Sequence, residues 1–289
     1  MRVPESRRTV PTHRPRARRV AAPLSATEVR RTFTKLFEAL RASDAIIAGG
    51  LNHVRTRHKS DGSEVTAADR GAERALRGRL ARAFPRDALL GEEYGGTLEL
   101  TGRCWTIDPI DGTASYVLGL PLFGTLLSLL IDGEPVLGCI RLTALRELTY
   151  AASGHGCWLR RDGASPRRVR VAAPRALARA QVGLTSFKQS DLSRPPGRWR
   201  LAALTRRCRI RAVGDCVQYA LVCRGVLDAA VDPVLKPWDI GALAVCVREA
   251  GGAVRDLRGE AGQIITRTSM VAASSAALCS EIAAVVSPS

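Results

Sequence analysis

The 289-residue chain predicts an α/β (α+β) fold built as a layered sandwich, and three observations carry that expectation. Segments with apolar residues at helical spacing alternate with short apolar runs of strand length along most of the chain. Asp132-Gly133 joins two such runs and signals a hairpin, so part of the sheet is antiparallel. The composition, 46% hydrophobic and 25% charged, is that of a globular protein long enough to bury a large core.

Taken in order, Ser25 reads as the N-cap of a helix over Ala26 to Leu51. Val29, Phe33, Leu36, Phe37 and Leu40 form its apolar face, and Gly49-Gly50 ends or kinks it. Arg57 to Gly62 is a polar turn. A second helix is expected over Thr66 to Phe84, capped near Thr66, with Asp69 in its first turn and Pro85 closing it. Leu89-Leu90 is a short strand running into Gly91-Glu92-Glu93-Tyr94-Gly95. From Cys104 the pattern is strand-like, over Cys104 to Ile107 and then 122–131, 135–142, 147–152 and 168–172. Further strands are expected at Gln181 to Thr185, Arg209 to Val213 and Ala229 to Val231. Helices are expected at Leu201 to Cys208, Gln218 to Arg224 and Ile240 to Ala250, the last opened by Asp239 and stopped by Gly251-Gly252. Ser190 to Arg198 reads as a loop. The expected division is a basic tail over 1–24, an N-terminal α+β half over 25–150, and a C-terminal α/β half over 151–289.

The formal net charge is +17, and residues 1–20 alone hold seven Arg against one Glu. The remaining excess is scattered over helices, without the interleaved aromatics of a single-strand binder; aromatics are only 4%. It reads as a solvated basic surface rather than a nucleic-acid face. The Arg-rich start has no apolar signal core, and a disordered tail, a targeting segment and a mis-assigned start all fit its composition. No run of 18 apolar residues occurs, so no membrane span and a cytoplasmic location are expected. The eight cysteines form no Cys-x-x-Cys pair and read as small buried apolar groups in a reducing compartment.

Three segments carry chemistry. In Trp105-Thr106-Ile107-Asp108-Pro109-Ile110-Asp111-Gly112-Thr113 an apolar strand delivers one carboxylate at its end, and a second follows three residues on. Pro109 is expected to stop the strand's ladder. Gly112 allows a tight turn, and the free N–H groups at Gly112 and Thr113 suit an anion. Two carboxylates and the Ile110 carbonyl aimed at one point are hard oxygen donors, which favour Mg²⁺ or Mn²⁺ over zinc. The second segment is Gly91-Glu92-Glu93, and the third is Pro237-Trp238-Asp239 at a helix start. Each alone is most often a polar turn or a helix cap. Together they form a pattern. No Ser or Cys nucleophile with a His base is evident, and His155, in Gly-His-Gly, reads as a turn residue.

These segments, with Val65-Thr66-Ala67-Ala68-Asp69 and Ala250-Gly251-Gly252, resemble the inositol-monophosphatase superfamily of lithium-sensitive, Mg²⁺-dependent phosphatases over roughly residues 30–285. The resemblance implies an α-β-α-β-α sandwich and two to three Mg²⁺ ions. It places Glu92, Asp108 and the Ile110 carbonyl on a first metal and Asp108, Asp111 and Asp239 on a second, with Glu92 holding a third through water. Asp69 and Thr113 then orient or activate the attacking water with Glu92, and the backbone of Gly112 and Thr113 holds the phosphate beside Asp111. It also implies a small phosphate monoester as substrate, and the family's frequent dimers make a homodimer an expectation.

Within the superfamily the chain is most similar to the histidinol-phosphatase branch. The residues that carry this are Gly91 to Gly95, Tyr116 to Thr125, Gly214-Asp215-Cys216, and Val231-Asp232-Pro233 through Asp239. L-Histidinol phosphate carries an ammonium and an imidazole that Asp215 and Asp232 could pair, whereas inositol offers only hydroxyls. Asp215 as a structural cap and Asp232 as a generic hydroxyl ligand are the alternative roles. The branch often has a basic residue where this chain has Ala114. Hydrolysis of L-histidinol phosphate is therefore the expected activity. An inositol-1-phosphate or broader sugar or nucleotide phosphatase is the first alternative, and a basic nucleic-acid-binding protein on the same scaffold the second.

Overall fold

The computed structural model describes residues 24–51, 56–58, 64–185 and 199–287, and in it two sheets alternate with three layers of helix. Helix α1 (Ala26–Gly50) starts at a capping box, in which the Ser25 hydroxyl accepts from the Glu28 N–H and the Glu28 carboxylate accepts from the Ser25 N–H. A two-stranded pair, β1 (Thr56–His58) and β2 (Glu64–Thr66), leads into α2 (Ala67–Ala83). Seven strands then form one sheet in sequential order: β3 (Ala88–Gly91), β4 (Arg103–Asp111), β5 (Gly124–Ile131), β6 (Glu134–Leu142), β7 (Glu147–Ala152), β8 (Cys157–Arg161) and β9 (Arg167–Val169). Only β3 and β4 run parallel; the other neighbours are antiparallel. The short helix α3 (Thr113–Val117) fills the β4–β5 connection.

The second sheet has the order β11-β10-β12-β14-β13, from β10 (Gln181–Leu184), β11 (Arg209–Arg211), β12 (Ala229–Asp232), β13 (Ala253–Arg255) and β14 (Met270–Ala273). Helix α4 (Asp215–Cys223) precedes β12, α5 (Pro237–Glu249) follows it, and α6 (Ala276–Val286) ends the described chain.

Alternation along the strands decides the layers. Trp105, Ile107, Leu127, Leu129 and Leu137 point to α1 and α2, where they meet Phe33, Leu36, Leu76 and Leu80. Cys104, Leu126, Leu130 and Ile140 point the other way, onto α4 and α5. The opposite faces of those helices meet Ala230, Val254 and Ala272 of the second sheet. The far side of that sheet, Val182, Val231 and Val271, is covered by α6 and the 3₁₀ turn Leu201–Arg206. The order is α-β-α-β-α, as the resemblance implies.

Helix α5 is therefore buried on both sides, and every residue from Ile240 to Val247 is buried. It approaches the first sheet at backbone distance. A Cβ on Gly241 would lie 2.0 Å from Ser128 Oγ and 3.2 Å from Thr106 Oγ1, two hydroxyls that hydrogen-bond each other at 2.6 Å. A Cβ on Gly138 would lie 2.8 Å from the Ala242 carbonyl. Small residues at these points let the helix seat on β4, β5 and β6.

Several expectations change. Strand β4 does not stop at Pro109; it reaches Asp111 across a register shift between Asp108 and Asp111. A bulge absorbs the proline's missing N–H. Strand β8 was not foreseen, and neither were β13, β14 and α6. Leu201–Arg206 is 3₁₀ rather than α. The division at residue 150 falls inside β7, and the first sheet runs on to Val169. Residues 1–23 of the tail expected over 1–24, residues 59–62 of the turn expected over 57–62 and the loop expected at 190–198 lie outside the described residues.

Gly241→Val is expected to lower the unfolding free energy by about 1–3 kcal/mol through overpacking. Gly49→Ala, whose added methyl meets nothing within 4 Å, should leave it unchanged or slightly raised. Urea unfolding of the two variants checks this.

Candidate active site

Strand β4, its bulge and the first turn of α5 bring three carboxylates together. Ligand oxygens of Asp108, Asp111 and Asp239 all lie within 4.8 Å of one another. Asp239 is not the N-cap of α5, as its sequence position suggested. Lys236 holds that place, and Asp239, in the first turn, accepts the Lys236 N–H at 2.7 Å. This leaves its other oxygen for the cluster. Asp111 accepts the Cys216 N–H at 2.5 Å, which ties the end of β4 to the start of α4.

Burial is the largest influence on these groups. It raises the Asp108 carboxyl well above its usual range, and the charges of Glu92, Asp111 and Asp239 raise it further. Asp111 is raised by burial and then by Asp215, Asp239 and Asp232. Asp239 is pushed up to about 7, by burial first, with Glu92 adding to it. Glu92 thus stands near enough for its charge to act on both Asp108 and Asp239. It sits just beyond β3, where its N–H donates to the Ile107 carbonyl of β4 at 3.1 Å.

A cation fits this donor set. Asp108 Oδ1 is buried with no hydrogen-bond partner among the described residues, a costly state for a carboxylate oxygen unless a ligand completes it. The donors are all hard oxygens, which suits Mg²⁺ or Mn²⁺.

On the opposite flank Asp69, in the first turn of α2, accepts from the Thr66 N–H at 2.7 Å and the Thr66 hydroxyl at 2.6 Å. Its other oxygen lies 3.3 Å from the Thr113 hydroxyl, which also lies 3.0 Å from the Ile110 carbonyl. One hydroxyl proton serves the two acceptors in turn. Burial raises the Asp69 carboxyl, and the Thr66 bonds offset part of that rise. Beneath, Ile110, Tyr116 and Phe123 pack with Ile47 and Ala72, and the Tyr116 hydroxyl donates to the Ile47 carbonyl at 2.8 Å. This small core fixes α3 and the Ile110 backbone.

Gly112 caps α3 at φ 89°, in the left-handed region. A Cβ there would lie 2.9 Å from Asp215 Oδ2 and 2.9 Å from the Leu122 carbonyl, so the position needs glycine twice over. Asp215 opens α4 at φ 49°, directly after the N-cap Gly214, and its N–H donates to the Thr185 hydroxyl at 3.2 Å. Burial pushes its carboxyl up to about 6. Asp232, at the end of β12, accepts from Gln218 Nε2 and the Tyr219 hydroxyl, both at 2.7 Å, and burial pushes it up to about 7. Asp215 and Asp232 line one cavity of about 540 Å³, whose other walls include Ala114, Leu120, Leu122, Val213 and Val234.

The sequence-level candidates therefore gather around one site, with Asp215 and Asp232 in the adjoining cavity. Sequence reasoning missed the residues that hold them: the Cys216 N–H on Asp111, Gln218 and Tyr219 on Asp232, and Glu73 behind Glu92. Only Glu73 had a signal, since it follows Asp69 by one helical turn. His155 lies in the β7–β8 turn, with its ring at 2.9 Å from the Leu24 carbonyl. All eight cysteines are free, and all but the half-buried Cys208 are buried. No helix among the described residues is long and apolar enough to cross a membrane.

A model of the inositol monophosphatase family matches residues 28–288. The histidinol-phosphatase of Mycobacterium tuberculosis is 42% identical over 214 residues, covering 74% of this chain and 82% of that protein. The inositol-1-monophosphatase of Mycobacterium leprae is 32% identical over 254 residues, 86% of each chain. An IMPase from Thermotoga maritima superposes with a TM-score of 0.75 at 28% identity, covering 89% of this chain and 96% of that one. A layered α/β sandwich with an acidic cluster at the end of a sheet strand is the architecture of a phosphoric monoester hydrolase. The chain belongs to the inositol monophosphatase family.

The raised carboxyls set a pH dependence. An unfolded Asp titrates near 3.8, whereas Asp239 and Asp232 titrate at about 7 and Asp215 at about 6 in the fold. The folded state thus binds more protons between these limits, and its stability falls as pH rises through them. Metal-free protein should melt at a lower temperature at about pH 8 than at about pH 5, and Mg²⁺ should restore more at the higher pH. Calorimetry in EDTA checks it; a rise in melting temperature over that interval contradicts the arrangement.

Proposed function

We propose that this phosphatase hydrolyses L-histidinol phosphate with two to three Mg²⁺ ions, Mn²⁺ serving as a substitute. Glu92, Asp108, the Ile110 carbonyl, Asp111 and Asp239 are the residues that would hold the ions. When bound, the ions lower the pKa of the attacking water and neutralise charge on the phosphoryl group and leaving oxygen.

The chain's own groups do the rest. Thr113 Oγ1 can pass its proton to Asp69 Oδ1 while taking one from the water, and burial has already raised the Asp69 carboxyl toward accepting it. Glu92 assists on the other flank. The first turn of a helix leaves its N–H groups without internal partners, so Gly112 and Thr113 offer donors to the phosphate beside Asp111. Displacement is direct, with no protein nucleophile.

The observation that supports the substrate is the cavity beside Gly112. It combines two carboxylates, Asp215 and Asp232, with apolar walls at Leu120, Leu122, Val213 and Val234. A leaving group with an ammonium and a flat imidazole pairs with the first and lies against the second. The five free ring hydroxyls of inositol 1-phosphate would leave polar groups facing the aliphatic carbon of these walls. The name of the Mycobacterium tuberculosis relative agrees with this reading.

Phosphate release from L-histidinol phosphate and from inositol 1-phosphate, side by side with Mg²⁺ and then EDTA, tests it. EDTA-sensitive turnover favouring histidinol phosphate is expected; preference for inositol phosphate keeps the mechanism and discards the substrate. Asp111→Asn should fold normally and lose nearly all turnover at saturating Mg²⁺. Asp215→Ser should lower kcat/KM for histidinol phosphate about 10–100-fold, the worth of a charged hydrogen bond. Unchanged turnover in that variant removes Asp215 from recognition.

A further inference from the structure

Helix α2 carries three charged residues one turn apart, Asp69, Glu73 and Arg77, on the face turned toward β3 and the segment after it. Asp69 belongs to the site already described. Glu73 has no exposed side-chain surface at all. Its carboxylate accepts the Glu93 N–H at 2.7 Å on one oxygen, and the Tyr94 N–H at 3.2 Å and Arg77 Nε at 2.7 Å on the other. Arg77 in turn donates to the Gly95 carbonyl, and the Gly91 N–H closes the turn on that same carbonyl at 2.9 Å. The two side chains thus grip both ends of the Gly91–Gly95 turn, which carries Glu92.

The turn is built around this carboxylate. A Cβ at Gly91 would lie 2.1 Å from Glu73 Oε1 and 2.9 Å from an Arg77 guanidinium nitrogen. Any side chain there would expel the carboxylate, which gives the glycine before Glu92 a physical reason. The demand is also specific to a carboxylate. Its two oxygens accept two backbone N–H groups and an arginine, whereas an amide would turn a donor toward one of the three.

We propose that Glu73, held by Arg77, is a positioning residue that sets the Glu92 carboxylate for metal binding. This rests on reading Glu92 as a metal ligand. Helix α2 then places groups on both flanks of the attacking water, Asp69 directly and Glu92 through Glu73.

The test uses the full chain and Mn²⁺ as the probe, bound in titrations followed by electron paramagnetic resonance. Amide hydrogen exchange at Glu93 and Tyr94 is followed in parallel. Glu73→Gln is expected to speed exchange at both amides at least about tenfold and to weaken Mn²⁺ binding about 10–100-fold. The KM for the phosphate ester at saturating metal should stay unchanged. Gly91→Ala, which keeps Glu73 but takes its space, should reproduce both effects, and Arg77→Lys should give a milder version where Glu73→Gln folds poorly. Weaker Mn²⁺ binding together with faster exchange in the folded variants supports the proposal. Faster exchange with wild-type Mn²⁺ affinity in a folded variant overturns it, as does unchanged exchange. Wild-type protein that binds no Mn²⁺ overturns the reading of Glu92 as a ligand, and the exchange arm then still reports whether Glu73 holds the turn.

Discussion

The seating of helix α5 between the two sheets is the constraint on which the rest of the structure depends. A helix buried on both faces has no side free for polar residues, and Ile240 to Val247 are accordingly all buried. It can come close to the first sheet only where both partners lack bulk, at Gly241 over Thr106 and Ser128 and at Gly138 under Ala242. That close approach carries Asp239 to within reach of Asp108 and Asp111. A helix riding a methyl group higher would carry Asp239 away from Asp108 and Asp111, which β4 holds. The middle layer is thus both the core of the fold and the wall of the site.

What that seating creates is electrostatically unfavourable in the bare protein. Carboxyls that repel one another in a buried place titrate upward, and Asp108, Asp111, Asp239, Asp232 and Asp215 all do so. No arginine or lysine forms an ion pair with any of them among the described residues. The positive excess of the chain lies elsewhere, so in the bare protein protons relieve the repulsion, and a bound cation would do the same. A phosphate dianion could not approach such a cluster otherwise. The same gathering of acids that is costly in the bare protein is what makes the cluster a donor set for a cation.

Each flank of the site is held by backbone donors and first turns of helices. The Thr66 cap holds Asp69, the Lys236 N–H holds Asp239, and the Cys216 N–H holds Asp111. Asp239 and Asp111, each fixed through one oxygen, keep the other for the cluster, while the second oxygen of Asp69 takes the Thr113 hydroxyl. Asp215 departs from this scheme. It sits at a positive φ, and its Oδ2 takes the space that a Cβ on Gly112 would need.

Local signals made much of this legible. The two capping boxes, at Ser25 and at Thr66, are written in residues three apart, and so were the starts of α1 and α2. The ligand candidates were readable because their chemistry is unusual at strand ends, and the family pattern joined them. The close of β4 was not readable, because Pro109 forbids a ladder bond locally while the neighbouring β5 tolerates a bulge. The last strands and α6 were missed because Ala-rich runs such as 270–273 lack a period of their own and become strands only by pairing with β12 and β13. By itself, then, the sequence determined which residues could bind metal and where helices begin, since caps, turns and carboxylates act over three or four residues. Only the tertiary structure decided that Asp239 meets Asp108, that Cys216 holds Asp111 and that Glu73 holds the Glu92 turn, because each contact depends on how closely two backbones can approach, and that distance is set by packing between distant segments.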